Sequence, residues 1–318
     1  MFFRKQHVLQ FVDIAPGETI ELSETTPNVL KLVIRRPYAG ENPKATGSEC
    51  IGVVHTEESV SEETRRQFEL PGDPRPAVVE IRRRVSQRLH AYVLRSFRIL
   101  KWRTGDVERE SPIKGTEPLN WSDDGLTWKA IHAPPGAAEW VAQIPPLRTS
   151  NDVLKSLEGL MKSGLDEPFA HELLREAWSL RRVSPRSSFL IGIAAAEVGF
   201  KTFVGVLVPD AKWLAFNSPT SPLDKMLGKY LPELPVRVNL AGPPSIPAAL
   251  RKTLSEGVEL RNKIAHAGAE PPSVKALEEM LWAVHNLLYI LDWYSGYKWA
   301  LDCIGRKASD FESGIEEK

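Results

Sequence analysis

The sequence predicts an α+β protein, with a β-rich N-terminal domain followed by an all-α C-terminal domain. Its 318 residues exceed the roughly 100 to 200 residues of one ordinary domain, so two domains are expected. Apolar residues make up 42% and charged residues 26% of the chain, which is a globular composition. Near residue 145 the apolar pattern changes from short β-branched runs to long stripes at helical spacing.

The N-terminal domain is predicted to cover residues 1–145 and to sense a signal or recognise RNA or a protein partner. Its apolar runs, at residues 8–14, 29–34 and 51–54, are short and rich in β-branched side chains. Proline, glycine, serine and glutamate separate these runs, which is typical of a sheet with many connections.

A β-hairpin is the clearest element of this domain. The dipeptide Asp124-Gly125 supplies the positive φ angles that a tight hairpin turn needs. Trp121 and Trp128 stand on either side of it. The sequence therefore predicts a tight turn between two short strands.

One segment of the β-rich domain, residues 81–102, is predicted to form a helix instead, because Val85, Leu89 and later apolar residues recur at nearly helical spacing. From Arg82 to Arg103 it holds eight basic residues and no acidic one. Basic and aromatic side chains together suit single-stranded RNA, whereas a solvated face or local core packing is the simpler interpretation. The candidate RNA contacts are Arg82, Arg83, Arg84, Arg88, Arg95 and Arg98.

The C-terminal domain is predicted to be a helical bundle covering residues 166–306, after a linker at 146–165 and before a polar tail at 307–318. Residues 209–246 are rich in proline and are predicted to form an insertion with one short helix. Gly268 is expected to end the third long helix. The four long helices begin near Phe169, after Ser184-Pro185, after Pro247 and near Val274.

Charge and cysteine content exclude several function classes. The 41 basic residues equal the 41 acidic ones, so no overall field attracts nucleic acid or an anionic membrane. Cys50, Cys303 and the seven histidines match no metal-binding spacing, and there is no glycine loop for phosphates. We therefore expect no cofactor, no metal and no membrane span, and a reducing cytoplasmic location.

One group of polar residues points to chemistry. Arg261, Asn262 and His266 lie in the last two turns of the predicted third helix. This pattern resembles the HEPN family, whose signature is an arginine, four to six residues and a histidine, usually with a polar residue after the arginine. Residues 173–178 and 187–198 look like the first two helices of that family. The resemblance covers residues 166–306, under half of the chain.

The arginine-to-histidine spacing alone is a weak signal, because a short pattern also arises by chance. Arg84 and His90 fit the same spacing. That second match has no polar residue after its arginine and no glycine to end a helix. The context of the helices therefore selects Arg261 and His266.

The resemblance implies a metal-independent endoribonuclease that cleaves single-stranded RNA. In such enzymes the 2′-hydroxyl of the RNA attacks the adjacent phosphorus and leaves a 2′,3′-cyclic phosphate. The residues suit this chemistry, since Arg261 presents a planar fork of donors to a phosphate and Asn262 can orient the ribose or phosphate. His266 lies at the negative end of the helix dipole, which favours the imidazolium form of a general acid.

The resemblance also implies a biological role and partners. The resemblance to the HEPN family suggests a role in antiphage defence or as a toxin. It also implies RNA as the substrate and an unidentified activator or antitoxin as a further partner. The alternative, from another function class, is a non-catalytic HEPN-like module that dimerises and binds RNA or a protein. A further alternative is that Arg261 and His266 belong to a solvated helix end, where their side chains only satisfy terminal carbonyls.

Helix geometry constrains the site further. Five residues at about 100° each place Arg261 and His266 roughly 140° apart around a regular helix, whereas Asn262 and His266 share a face. Either the helix end is distorted, or two copies of the helix meet in a homodimer and form a composite site. The second arrangement is the one that HEPN dimers adopt, and we expect a homodimer.

Three further residues are assigned supporting roles: Glu197, Lys201 and Lys263. Glu197 and Lys201 are spaced as an i, i+4 ion pair on one helix. If that helix packs against the third one, Glu197 could instead hold Arg261 or His266 in place. The sequence leaves both arrangements open.

Overall fold

The protein is described by a computed structural model, and its residues form an α+β architecture. The chain divides into two compact units. The first comprises residues 1–100 and 109–166, and the second comprises 101–108 and 167–318, as far as these are described. The predicted tail lies outside the described residues. The structure describes residues 1–9, 19–24, 30–36, 50–70, 75–107, 113–116, 119–131, 151–217 and 222–305.

The described strands of the first unit form one seven-stranded antiparallel sheet, in the order β2-β3-β4-β1-β6-β7, with β5 also paired to β1. Alternate residues of the third strand, Leu30, Leu32 and Ile34, are buried, which is the period-two pattern of a strand with one face on a core. The strands are β1 (Phe2–Leu9), β2 (Thr19–Glu24), β3 (Leu30–Arg35), β4 (Cys50–Glu57), β5 (Ile113–Thr116), β6 (Asn120–Ser122) and β7 (Lys129–Ala130).

Helices α1 (Glu62–Glu69) and α2 (Pro76–Thr104) follow the fourth strand. The predicted helix at residues 81–102 is confirmed, and it is longer than expected. Its apolar stripe, including Val85 and Leu89, is fully buried. The last turn of α2, from residue 101, belongs to the second unit.

The predicted hairpin is present, but its loop is longer than a two-residue turn. Strands β6 and β7 pair antiparallel, and residues 123–128 connect them. Gly125 has a φ of 73°. The Asp124 carboxylate accepts hydrogen bonds from the backbone N–H groups of Thr127 and Leu126, which lowers the pKa of that carboxyl. This side-chain acceptor stabilises a wider loop than the dipeptide predicts.

The segment predicted as a linker, residues 146–165, contains a helix instead, α3 (Asn151–Lys162). Leu157, Leu160 and Met161 are buried at helical spacing, so this helix belongs to the core of the first unit. Residues 132–150, including the proline-rich passage, lie outside the described residues.

In the second unit, the four predicted long helices are confirmed as α4 (Phe169–Leu180), α5 (Pro185–Leu207), α8 (Ala248–Ala267) and α9 (Val274–Tyr294). The predicted insertion contains a 3-10 turn at Pro209–Ala211, α6 (Lys212–Asn217) and α7 (Leu223–Lys225), which continues as a π-helical turn to Tyr230. A 3-10 helix at Lys298–Cys303 follows the fourth long helix.

Small residues let α5 and α9 approach closely. A Cβ added to Gly192 would lie 2.6 Å from Leu281 Cδ2 on α9, and one added to Gly199 would meet Leu288. By length and composition α5 is apolar enough to cross a membrane, but half of its most apolar window is buried in the protein. That is the burial pattern of a core helix.

Candidate functional site

The candidate site lies on α8, and the burial of this helix decides which way each side chain points. The buried positions Leu250, Leu254, Gly257 and Ile264 follow one another at steps of four, three and seven residues, which is a single helical stripe. Arg261 fills the gap in that stripe between Gly257 and Ile264. Its side chain therefore faces the other helices of the bundle.

Arg261 is held by an acidic residue of another helix. Its Nη2 donates to Glu197 Oε1 on α5, and its Nη1 donates to Asn262 Oδ1 at 2.9 Å. The Glu197 side chain is 18% exposed and that of Arg261 is 29% exposed, so the pair is partly shielded from water. Glu197 thus pairs with Arg261, 64 residues away, and not with Lys201 one turn along.

Glycine on α8 allows the close approach that this pair requires. A Cβ added to Gly257 would lie 2.8 Å from Met280 Sδ and 2.9 Å from Ile193 Cδ1. These contacts set α8 close to both α9 and α5. Arg261, one turn further along α8, is consequently within reach of Glu197.

The remaining site residues lie on the outer surface. Asn262, Lys263 and His266 are all exposed, and Lys201 is half-buried. Gly268 ends α8 in the left-handed conformation, with a φ of 65°, and its N–H donates to the carbonyl of Lys263. His266 therefore lies in the last turn, beside the negative end of the helix dipole.

Helix α8 is a regular α-helix to Ala267, so the distorted end that would bring the three side chains together in one copy is not formed. Arg261 and His266 stay roughly 140° apart on the regular helix. Arg261 faces α5, and His266 faces solvent. A single copy presents the arginine and the histidine on different sides of α8.

The site contains no metal-binding cluster. Among the described residues, no group of three or more His, Cys, Asp or Glu side chains is placed to hold a metal ion. Of the site residues, His266 is the one that can exchange a proton near neutral pH, and Arg261 is a permanent cation.

The basic residues of α2 are largely engaged within the first unit. Arg84 donates to Glu58 at 2.8 Å, and Arg88 pairs with the same carboxylate, which is buried. Arg83 pairs with Glu80 at 2.7 Å, and Arg95 pairs with Asp166. Four of the six candidate RNA contacts are thus paired with acidic residues. These are Glu58, Glu80 and Asp166, which lie outside the segment from Arg82 to Arg103. Of the other two candidates, Arg82 is half-buried and Arg98 is exposed.

A second polar cluster in the helical unit was not predicted. Asp292 Oδ2 accepts hydrogen bonds from Trp102 Nε1 at 2.7 Å and from His171 Nε2 at 2.9 Å. Tyr289 donates to the carbonyl of Trp102 at 2.6 Å, and His285 Nε2 lies 3.2 Å from the carbonyl of Gly105. No sequence spacing links residues that lie 121 and 190 positions apart.

Burial changes the acid–base behaviour of this second cluster. Loss of solvent around His285 lowers its pKa to about 4. Burial likewise raises the pKa of the Cys303 thiol to about 12, so this cysteine is not a thiolate nucleophile near neutral pH.

No family model, curated protein or solved structure matches the chain. The case for function consequently depends on the residues and on the geometry described above.

Proposed function

We propose that the protein is a metal-independent endoribonuclease that cleaves single-stranded RNA with Arg261, Asn262 and His266. The observation that carries the proposal is the anchoring of Arg261 by Glu197 across two helices, with His266 free in the last turn of the same helix. A cation that is held in place loses less conformational freedom when it binds a phosphate. This arrangement favours a reactive site over an ordinary solvated helix end.

In the proposed reaction, the 2′-hydroxyl of the RNA attacks the adjacent phosphorus, and the bond to the 5′-oxygen breaks. Arg261 stabilises the negative charge that develops on the phosphoryl oxygens. His266 as imidazolium donates a proton to the leaving 5′-oxygen. The products are a 2′,3′-cyclic phosphate and a 5′-hydroxyl, and no metal takes part.

The proposed active unit is a homodimer with two α8 helices at its axis. Since one copy holds Arg261 and His266 on different sides of α8, the proposed twofold pairing is one that brings His266 of one copy toward Arg261 of the other. Light scattering at micromolar concentration should then give the mass of two chains. A monomer under those conditions would count against the composite site.

A cleavage assay tests the activity. The full-length protein, His266→Ala and Arg261→Ala are each incubated with single-stranded RNA in EDTA, and fragments are resolved on a denaturing gel. Lys252→Ala is the matched control, because it removes an exposed cation from the other end of α8. We expect wild type and the control to cleave, and the two site variants to lose at least about 100-fold in rate.

A non-catalytic module is the second candidate, favoured by the open exposure of Asn262, Lys263 and His266. Such a module would dimerise and bind RNA or a protein without cleaving it. The same assay separates the two, since RNA left equally intact by wild type and variants would support the module.

A further inference from the structure

A cavity of about 70 Å³ lies beside the buried His171–Asp292 pair of the helical unit. It is partly open to solvent and is lined by the start of α4, the last turns of α5 and the end of α9. Most of its wall is apolar, with a few polar side chains, which is the usual composition of a small-molecule site. Its lining includes Phe203, Leu288, Leu291, Thr202, Asp292 and Tyr297.

Three oxygen atoms of the lining residues have no protein partner among the described residues. The Asp292 side chain is 12% exposed, and both donors that reach it bind Oδ2. Its Oδ1 accepts no hydrogen bond, and the hydroxyl groups of Thr202 and Tyr297 make none. The Asp292 Oδ1 atom is therefore available to accept hydrogen bonds from the N–H groups of a ligand.

The charge of the cavity selects the kind of ligand. Asp292 is acidic, and none of the described lining residues is Lys or Arg. Arg237 is close to the wall, but its guanidinium donates to the carbonyl of Val206 at 2.9 Å and forms no ion pair with Asp292. The site therefore lacks a fixed cation and repels an anion.

We propose that this cavity binds a small primary ammonium ion with an apolar body. An ammonium group has three N–H donors, which matches the uncommitted oxygens of Asp292, Thr202 and Tyr297. The alkyl portion would lie against Leu288, Leu291 and the ring of Phe203. This site is separate from the Arg261 site and does not depend on RNA cleavage.

The volume limits the ligand to a few non-hydrogen atoms inside the cavity, since one water needs about 10–15 Å³ of cavity volume measured in this way. We take n-butylammonium as the probe, with n-butanol as the neutral counterpart and butyrate as the anion. Binding is measured by saturation-transfer NMR on the full-length protein. Because hydrogen bonds to charged groups are the stronger ones, n-butylammonium should have a Kd at least about tenfold below that of n-butanol.

Two variants and one control locate the site. Asp292→Asn removes the charge but keeps the size and an acceptor for Trp102 and His171, and should raise the Kd at least about tenfold. Thr202→Leu fills the cavity without changing the Asp292 hydrogen bonds, and should abolish binding. Asp210→Asn, at an exposed acid of the same unit, should leave the Kd unchanged.

The outcomes decide the matter in either direction. The proposal is overturned if n-butylammonium does not saturate the protein in the millimolar range, or if n-butanol or butyrate binds as tightly. It is also overturned if Thr202→Leu binds n-butylammonium with wild-type affinity. This second variant still tests the proposal if circular dichroism shows that Asp292→Asn is unfolded.

Discussion

Replacing Glu197 by Gln and Arg261 by Met, singly and together, measures how firmly α5 holds the candidate catalytic arginine. Exposed ion pairs contribute about 0–1 kcal/mol, whereas breaking a buried pair costs about 3–5 kcal/mol. The Glu197 and Arg261 side chains are 18% and 29% exposed, which lies between these limits. We therefore expect a coupling free energy of about 1–2 kcal/mol in the double-mutant cycle.

The assay is urea denaturation of the four proteins, with the free energy of unfolding obtained for each. The control cycle uses Lys252 and Glu256, an i, i+4 pair on the same helix whose side chains are 78% and 65% exposed. That pair should couple by about 0.3–0.5 kcal/mol. If the Glu197–Arg261 coupling equals that of the control pair, Arg261 is not anchored and the argument for a preorganised cation fails.

Three further predictions concern the end of α8, the buried histidine and the behaviour in cells. Gly268→Ala should destabilise the fold by about 1 kcal/mol in urea denaturation, because its φ of 65° lies in the left-handed region. His285 has its pKa lowered to about 4 by burial, so below about pH 6.5 the unfolded chain binds one proton more than the folded protein, and stability falls as the pH decreases from 6.5 toward 4. The free energy of unfolding should fall by up to about 1.4 kcal/mol per pH unit, and His285→Gln should lose less stability than wild type between pH 7 and 4.5. The pKa of His55 is also lowered to about 4, but this residue titrates alike in both proteins and does not contribute to the difference. Overexpression of wild type should slow bacterial growth and His266→Ala should not; equal toxicity of the two would contradict the assignment of His266.

The long helices of the second unit were predictable because local signals in the sequence mark several of their ends. Ser184-Pro185 begins α5, and Gly268 ends α8 in the conformation that glycine favours. The helix α3 was missed although Leu157 and Leu160 have helical spacing. Its pattern spans only three turns and follows a proline-rich passage, which favoured a linker.

The candidate site was predictable only in part. The positions of Arg261, Asn262 and His266 on one helix follow from the local sequence, and so does their angular separation. The partner of Glu197 cannot be predicted from the local sequence. The i, i+4 spacing favours an ion pair with Lys201, whereas packing of the two helices favours one with Arg261. Only the arrangement of α5 against α8 distinguishes the two.

Long-range pairing explains the other differences. The basic residues of α2 have no acidic partner between Arg82 and Arg103, because Glu58 and Asp166, which pair with Arg84 and Arg95, lie far from them in the sequence. The Asp292 cluster joins Trp102, His171 and α9, which no short pattern relates. Such contacts depend on tertiary packing and leave no periodic signal in the sequence.

The chemical nature of the RNA ends tests the central claim most directly. An RNA with a single cleavable position is incubated with the protein in EDTA, beside the same RNA carrying a 2′-deoxyribose at that position. The proposed mechanism predicts a 2′,3′-cyclic phosphate and a 5′-hydroxyl from the first RNA, no cleavage of the second, and no products from His266→Ala. Products with a 3′-hydroxyl and a 5′-phosphate, or equal cleavage of the deoxy substrate, would contradict it.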